Sequence, residues 1–180
     1  DGIAITDSDG YYVYMNAAHR KMFGIGATEN IRRINWRDLV PAEASARFLE
    51  REWARFEAEG TWRGEIPGLH RDGSIVSQEV SLTLRDNGML CITRDIGERL
   101  RLEAVRADLA DPALAGLSIT QIGFARGFSS SAHLSRSFRA RFDMSPSELA
   151  SATYEKTPFH RRMDPQVRSS VNFKPWLRRL

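Results

Sequence analysis

The sequence predicts an α+β protein, in which a five-stranded antiparallel sheet with helices precedes an all-α region that contains a helix-turn-helix. Glycine turns separate strand-like runs in residues 1–97, and helix-capping pairs flank a glycine break in residues 118–148. Charge also changes along the 180 residues: the first 97 hold 12 Lys+Arg and 15 Asp+Glu, whereas the rest hold 14 and 8. We therefore expect two modules, the second with either a polyanionic partner or a solvated basic face.

The first element is a β-hairpin around Asp9-Gly10. Ile3 and Ile5 precede this turn, and the run from Tyr12 to Met15 follows it. An Asp-Gly pair between two strand-like runs is a common hairpin signal.

A longer helix is predicted from Pro41 to Glu59. Pro41 suits a first helical turn, and Gly60 suits the position just past the end of a helix. One face of this helix is apolar and contains Leu49, Trp53 and Phe56.

The last strands surround two further turns, Asp72-Gly73 and Asn87-Gly88. Side chains alternate with a period of two before the second turn, as they do in a strand with one buried face. The apolar face contains Val76, Val80, Leu82 and Leu84, and the polar face contains Ser77, Glu79, Ser81 and Thr83. Met89 to Thr93 forms the final strand.

Residues 1–97 resemble a PAS domain. The resemblance rests on "DGIAITDSDGYYVYMNAAHRKMFGI", "GTWRGEIPGLHRDGSIVSQEVSLTL" and "CITRDIGERLRLE". It implies a curved five-stranded sheet around a small pocket, often in a homodimer and sometimes with a cofactor or a small-molecule ligand. Gly97 is a departure, because the family usually has a threonine there that can cap the exit helix.

No tightly bound cofactor is predicted for this pocket. Flavin-binding members of the family carry a reactive cysteine in an Asn-Cys-Arg motif on a helix, whereas Cys91 lies on a predicted strand. A haem needs an axial ligand, and His19 and His70 are more simply explained as surface or hydrogen-bonded residues. The resemblance does not specify which ligand the pocket holds.

A linker helix is predicted over residues 98–111, and Asp111-Pro112 can end it. An apolar stripe runs along this segment at about helical spacing and contains Ile96, Leu100, Val105 and Leu109. Two interpretations stay open: a helix that rests on one domain, and a short coiled coil that relays strain from the sensor.

A helix-turn-helix is predicted within residues 112–150. Ser118 and Gln121 form a capping box, and Gly127 ends this first helix in a left-handed conformation. One side of the helix is expected to be apolar and to contain Ile119, Ile122 and Phe124.

The second helix begins near Ser129 or Ser130 and ends near Phe142, and another capping box at Ser145–Glu148 starts a third helix. A short helix, a tight glycine turn and a longer helix with a polar face are typical of a DNA-binding helix-turn-helix. The predicted core pairs Leu134 and Phe138 with Ile122 and Phe128.

Residues 99–150 closely resemble the C-terminal helix-turn-helix of AraC-family transcription regulators. The carriers lie in "LADPALAGLSITQIGFARGFSSSAHLSRSFRARFDMSPSEL". The resemblance implies that a recognition helix over about 130–142 enters the major groove of double-stranded DNA. The residues that match the family's base-reading positions are Ser131, Ala132, Ser135 and Arg136. Arg139 and Arg141 are expected to contact phosphates, and we expect His133 to lie at the flank of the helix.

Three departures from the AraC pattern affect this interpretation. Gly123 stands where the family usually has alanine, a change that costs about 1 kcal/mol in a helix. Asp143 stands where the family often has glycine, but aspartate tolerates the left-handed conformation. AraC-family units also carry two such motifs, and only the second is present. We therefore expect a homodimer, which would double the DNA contacts.

The remaining features set limits on the function. Residues 151–180 are expected to be a basic, partly disordered tail. No P-loop or zinc spacing appears, and no serine-histidine arrangement supports nucleophilic catalysis, so we predict no enzyme. No apolar run approaches the ~18 residues of a membrane span, no signal peptide opens the chain, and Cys91 is the single cysteine, so we expect a cytoplasmic protein.

Two functional hypotheses result. The first is a sequence-specific DNA-binding transcription regulator with an N-terminal PAS sensor. The alternative is a PAS signalling or protein-interaction module with a truncated helix-turn-helix that binds DNA weakly or not at all.

Overall fold

The structure of the protein is a computed structural model that describes residues 1–155. The chain divides into two compact units, the first ending at Glu103 and the second beginning at Ala104, a division that falls inside the predicted linker helix. Residues 156–180, which make up most of the predicted basic tail, lie outside the described residues. The start of that predicted tail, residues 151–155, belongs instead to the last helix.

The first unit contains the expected five-stranded antiparallel sheet. Its strand order is β2-β1-β7-β6-β3, and a separate two-stranded ribbon pairs β4 with β5. The strands are β1 (Gly2–Thr6), β2 (Tyr12–Met15), β3 (Thr61–Glu65), β4 (Gly68–Leu69), β5 (Ile75–Val76), β6 (Gln78–Arg85) and β7 (Gly88–Asp95).

All three predicted turns join antiparallel strand partners, so the three hairpins are confirmed. Gly88 shows why one of these positions requires glycine. Its φ is +146°, and a Cβ there would lie 1.9 Å from the carbonyl oxygen of Thr6. Only a residue without a side chain lets β7 approach β1 so closely.

Helices cover one face of the sheet. They are α1 (Ala17–Phe23), α2 (Ala42–Arg51) and α3 (Trp53–Glu59), with 3₁₀ turns at Ile31–Arg33 and Trp36–Leu39. The single helix predicted from Pro41 to Glu59 was wrong, because the backbone breaks at Glu52, whose φ is −117°. Phe48 and Phe56 are buried, whereas Leu49 and Trp53 of the predicted apolar face are only partly buried.

The second unit contains four helices within the part of the chain that the structure describes. They are the C-terminal part of α4 (Gly97–Ala110), α5 (Ile119–Ala125), α6 (Ser131–Phe142) and α7 (Pro146–Glu155), with a 3₁₀ turn at Pro112–Leu114. The start of α4 is capped although residue 97 is a glycine, because the Gly97 backbone N–H donates to the carboxylate of Asp95 at 2.7 Å.

The helix-turn-helix core is the predicted one. All four of its residues are buried, with exposed fractions of 2% for Ile122, 4% for Phe128 and 0% for both Leu134 and Phe138. The expectation for Phe124 was wrong, since 54% of this residue is exposed. It follows Ile122 by two residues and therefore points to another side of α5.

Candidate DNA-binding surface and interior cavity

The turn between α5 and α6 is held by local hydrogen bonds. The backbone N–H of Gln121 donates to the hydroxyl of Ser118 at 3.2 Å, and that of Ser118 donates to the Gln121 side chain at 2.8 Å. Gly127 has a φ of +81°, the left-handed conformation that the sequence predicts. Ser130 caps α6, because its hydroxyl accepts from the backbone N–H of His133 at 3.3 Å. The predicted capping box, glycine turn and second cap are all confirmed.

Helix α6 has one buried face and one exposed face. Leu134 and Phe138 point into the core. The residues predicted to read bases are all exposed and follow one another around the opposite side: Ser131, Ala132, Ser135 and Arg136. Arg136 has no ion-pair partner among residues 1–155. This face of α6 therefore has small, uncharged side chains beside one exposed cation.

The two predicted phosphate contacts are exposed at the C-terminal end of α6. The Arg139 guanidinium lies 3.5 Å from the carboxylate of Glu148, with 65% and 61% of the two side chains exposed. The Arg141 guanidinium lies 5.9 Å from the ring centre of Phe142. A long, exposed ion pair contributes little, so water and phosphate can compete with Glu148 for Arg139.

The end of α6 is shaped by a second set of caps. Asp143 adopts the left-handed conformation, with a φ of +57°, as expected for aspartate at this position. The backbone N–H of Ser145 donates to the Glu148 carboxylate at 2.6 Å, and this bond lowers the pKa of the carboxyl group. The Glu148 backbone N–H donates to the Ser145 hydroxyl at 3.2 Å, which completes the predicted capping box at the start of α7.

Helix α4 contributes two contacts to the second unit that the sequence did not predict. The Arg126 guanidinium forms a bidentate ion pair with Asp108, with N–O distances of 2.7 and 2.8 Å. Only 9% of the Asp108 side chain is exposed, and the paired carboxylate raises the pKa of Arg126. The Arg106 guanidinium lies 5.0 Å from the ring centre of Phe142. These partners are 18 and 36 residues apart, and no spacing rule connects them.

A separate cavity of about 60 Å³ lies inside the first unit. Its walls are mostly aromatic and aliphatic, and Phe23, Trp36, Phe48 and Trp62 belong to them. Four buried polar residues also line it: Thr6, His19, Gln78 and Thr93, with exposed fractions of 2%, 1%, 3% and 2%. The sequence carried a signal for Gln78, because it lies on the strand face of Val76 and Val80.

The ionisable groups that line the cavity are uncharged at neutral pH. Burial lowers the pKa of His19 to about 4 and raises the pKa of Cys91 to about 12. Burial is also the main cause that raises the pKa of Tyr12 well above its ordinary value. The interior therefore presents hydrogen-bonding groups without net charge.

The cavity does not fit a flavin or a haem, since drug-sized ligands need about 300–1,000 Å³. Cys91 lies on β7, as expected, and not on a helix. His19 is on α1 and hydrogen-bonds Thr93, and His70 hydrogen-bonds the Asp72 backbone. No cluster of metal-ligating side chains was found within residues 1–155.

Two family models match the chain. The model described as "PAS fold" matches residues 1–101, and the model described as "Helix-turn-helix domain", which is of the AraC type, matches residues 93–152. No curated protein matches the chain significantly. No helix among the described residues has the length and apolar character needed to cross a membrane.

Several solved structures are similar to the chain. The PAS domain of a Colwellia psychrerythraea protein is 26% identical over 53% of this chain and 85% of its own, with a TM-score of 0.48. The PAS domain of a LuxR-family transcriptional regulator from Burkholderia thailandensis, in complex with ethanol, is 17% identical over 53% and 88%, with a TM-score of 0.47. VqmA of Vibrio cholerae, in complex with ligand and DNA, is 15% identical over 86% and 81%, with a TM-score of 0.47.

The family assignment rests on the PAS match, which covers more than half of the 180 residues, together with the five-stranded sheet and the helix-turn-helix described above. The chain belongs to the PAS fold family and carries an AraC-type helix-turn-helix domain at its C-terminal end.

Proposed function

We propose that this protein is a sequence-specific DNA-binding transcription regulator, in which the PAS domain is the sensor and α6 is the recognition helix. The observation that carries the proposal is the pair of faces on α6, one buried through Leu134 and Phe138 and the other exposing Arg136 with small neutral side chains. A recognition helix needs this arrangement, because one face must anchor it while the other enters the major groove.

The proposed base contacts follow from the chemistry of the exposed face. The Arg136 guanidinium can donate two hydrogen bonds to O6 and N7 of a guanine, a contact that discriminates by about 1–3 kcal/mol. Ser131 and Ser135 can bond a base edge or a phosphate, and Ala132 can contact a thymine methyl group. The small side chains let the helix approach the bases closely.

Arg139 and Arg141 are the proposed phosphate contacts. Both are exposed, and the contact of the Arg139 guanidinium with the Glu148 carboxylate is long, at 3.5 Å. Phosphate contacts position the helix on the duplex without reading its sequence. Arg139 can exchange Glu148 for a phosphate with little loss.

A homodimer completes the proposal, because one motif makes few DNA contacts. Dimers with this motif read half-sites about one helical turn apart, ~34–36 Å. An apolar group on the outer face of the sheet supports self-association, since Ile3 pairs with Ile92 and Ile5 pairs with Tyr14 on neighbouring strands. The exposed fractions of these four residues are 37%, 39%, 38% and 48%.

The alternative function is a PAS signalling or interaction module with a weakly binding helix-turn-helix. One observation favours it: residues 1–155 contain one such motif where AraC-family units carry two. The two functions differ in how binding depends on DNA sequence and on salt.

The test begins with selection of bound duplexes from a random library by the full chain, followed by fluorescence anisotropy over a range of salt concentrations. For a regulator we expect a steep fall in affinity with salt, because bound cations are released from the phosphates. Arg136→Ala should weaken binding to the selected duplex about 5- to 150-fold and relax the preference at one base position.

Arg139→Ala is the matched comparison within the same helix. It should weaken binding to selected and random duplexes by the same factor and reduce the salt dependence. Arg63→Ala, on β3 of the first unit, is the control and should change neither. Failure to select any sequence, or equal losses on all duplexes for Arg136→Ala, would support the alternative function.

A further inference from the structure

Four buried polar atoms have no hydrogen-bond partner within residues 1–155, and three of them belong to residues that line the interior cavity. These three are Oγ1 of Thr6, Nε2 of His19 and Oε1 of Gln78. Such atoms are rare in native proteins, because burial takes away their hydrogen bonds to water. Three of them around one cavity indicate a site for a partner that residues 1–155 do not supply.

The hydrogen bonds of His19 set the role of its free nitrogen. The Thr93 hydroxyl is placed to donate to the carbonyl oxygen of Gly2 at 3.5 Å, and it then accepts from Nδ1 of His19 at 3.2 Å. On this arrangement we assign the proton of the neutral ring to Nδ1, which leaves Nε2 as an acceptor. The Gln78 amide can present its oxygen or its NH₂ group by rotating half a turn, so it can complement either kind of partner group.

The charge of the walls selects neutral molecules. At pH 7 the buried imidazole, phenol and thiol groups that line the cavity are uncharged, because burial disfavours their ionised forms. None of the other lining residues carries a formal charge. An ion that entered would lose its hydration without gaining an opposite charge.

The size and composition of the cavity favour a small organic molecule over water alone. A cavity of about 150 Å³ holds benzene, so the present 60 Å³ accommodates fewer than six non-hydrogen atoms. Several buried waters would each need two to four polar partners, whereas most of the walls are aromatic or aliphatic. Apolar walls with a few polar groups are typical of ligand sites.

We propose that the cavity binds a neutral molecule of about three to five non-hydrogen atoms, which donates a hydrogen bond to Nε2 of His19 and exchanges further hydrogen bonds with Gln78 and Thr6. The binding of such a molecule stands on the cavity alone. Its role as the signal of the regulator rests on the proposed function.

Four probes of the same shape and of four non-hydrogen atoms test the proposal on the full chain. Acetamide is neutral with an N–H donor, acetone is neutral without a donor, acetate is an anion and acetamidinium is a cation. Molecules of this size bind at best with dissociation constants of roughly 10⁻⁵ M, so each is titrated into the millimolar range and followed by the amide chemical shifts of the first unit. Acetamide should give saturable shifts in β1, α1 and β6 with about tenfold higher affinity than acetone, because acetone leaves His19 unpaired.

Replacement of His19 tests whether its Nε2 atom accepts the hydrogen bond from the N–H group of acetamide. His19→Phe keeps an aromatic ring beside Tyr12 and Phe23, 5.7 and 4.9 Å away, and should reduce acetamide affinity about tenfold without weakening acetone. His133→Phe is the matched control, because this ring packs on Phe128 outside the cavity. It should leave both affinities unchanged.

The probe series on the unaltered chain needs no variant to fold. The proposal would be overturned by equal affinities for acetamide and acetone, or by tighter binding of either ion. It would also be overturned if no probe gave a saturable shift, because water would then be the occupant of the cavity. Duplex binding is measured separately on the same sample. Absence of probe binding together with sequence-specific DNA binding contradicts only the proposed ligand of the cavity. Probe binding without sequence-specific DNA binding contradicts only the proposed function as a transcription regulator.

Discussion

At the residue scale, burial controls the chemistry of the first unit. His19 is 1% exposed and packs beside the rings of Tyr12 and Phe23, so its protonated form would lose water without gaining a carboxylate. The result is a histidine that stays neutral across the physiological range. Its remaining ring nitrogen is then available as an acceptor.

This burial predicts a specific pH dependence of stability. The pKa of His19 falls from 6.5 to about 4 on folding, so between these values the unfolded chain binds more protons than the folded one. His19 should therefore destabilise the fold as the pH falls from 6.5 to 4, by up to about 3 kcal/mol, and should have no such effect above 6.5.

Comparison with His19→Phe isolates this effect, because the variant keeps the other ionisable groups. The free energy of unfolding of both proteins is measured by denaturant titration from pH 8 to pH 4, with tryptophan fluorescence as the signal. The difference between the two should be constant above pH 6.5 and should then move steadily in favour of the variant. A difference that stays constant down to pH 4 contradicts the buried neutral histidine.

At the element scale, the recognition helix depends on its supports. The ion pair of Asp108 with Arg126 joins α4 to the end of α5, just before the Gly127 turn that leads into α6. Because both hydrogen bonds are short and the carboxylate is buried, the pair fixes geometry that exposed ion pairs leave free. We expect it to hold the turn in the conformation that DNA binding needs.

Asp108→Ala should destabilise the second unit by about 2 kcal/mol, because the half-buried Arg126 guanidinium loses two charge-assisted hydrogen bonds. Thermal and denaturant unfolding measure the loss. Glu59→Ala is the matched control, since it breaks an ion pair of similar length, 2.8 Å to Arg55, whose side chains are 51% and 67% exposed. The control should change stability far less, because water and salt screen an exposed ion pair. Equal effects of the two variants would show that Asp108 gives no special support.

At the scale of the whole molecule, the proposed dimerisation through the sheet should affect DNA binding. The exposed apolar side chains on the outer sheet face lie on three adjacent strands, and self-association would remove them from water. Two copies would present two recognition helices to a duplex. The predicted binding site therefore contains two half-sites with fixed spacing.

Ile92→Lys should shift the full chain from dimer to monomer in light scattering and weaken binding to a two-half-site duplex, because it places a charge in the apolar sheet face. Ile75→Lys is the same change on the β4–β5 ribbon, where the residue is 59% exposed and lies apart from that face. It should alter neither measurement. Insertion of half a helical turn between the half-sites should weaken binding by the unaltered protein, and a strictly monomeric protein that binds equally well contradicts the dimer.

Local signals made much of the fold predictable. Capping boxes and glycine turns involve residues two to four positions apart, so the short-range sequence contains both partners of each hydrogen bond. The faces of α6 follow from the helical period in the same way. The break at Glu52 was not predictable in this manner, because neither a proline nor a glycine marks it.

The sequence by itself determined the α+β class, the hairpins, the helix-turn-helix and the exposed residues of α6, since each depends on periodicity or on contacts between near neighbours. Tertiary structure alone decided which distant residues meet. The pairing of Asp108 with Arg126, and the convergence of Thr6, His19 and Gln78 on one uncharged cavity, join residues from different elements. Their burial, and with it the neutral state of His19, exists only when the sheet and helices close around them, because desolvation is a property of the packed fold and not of any local segment.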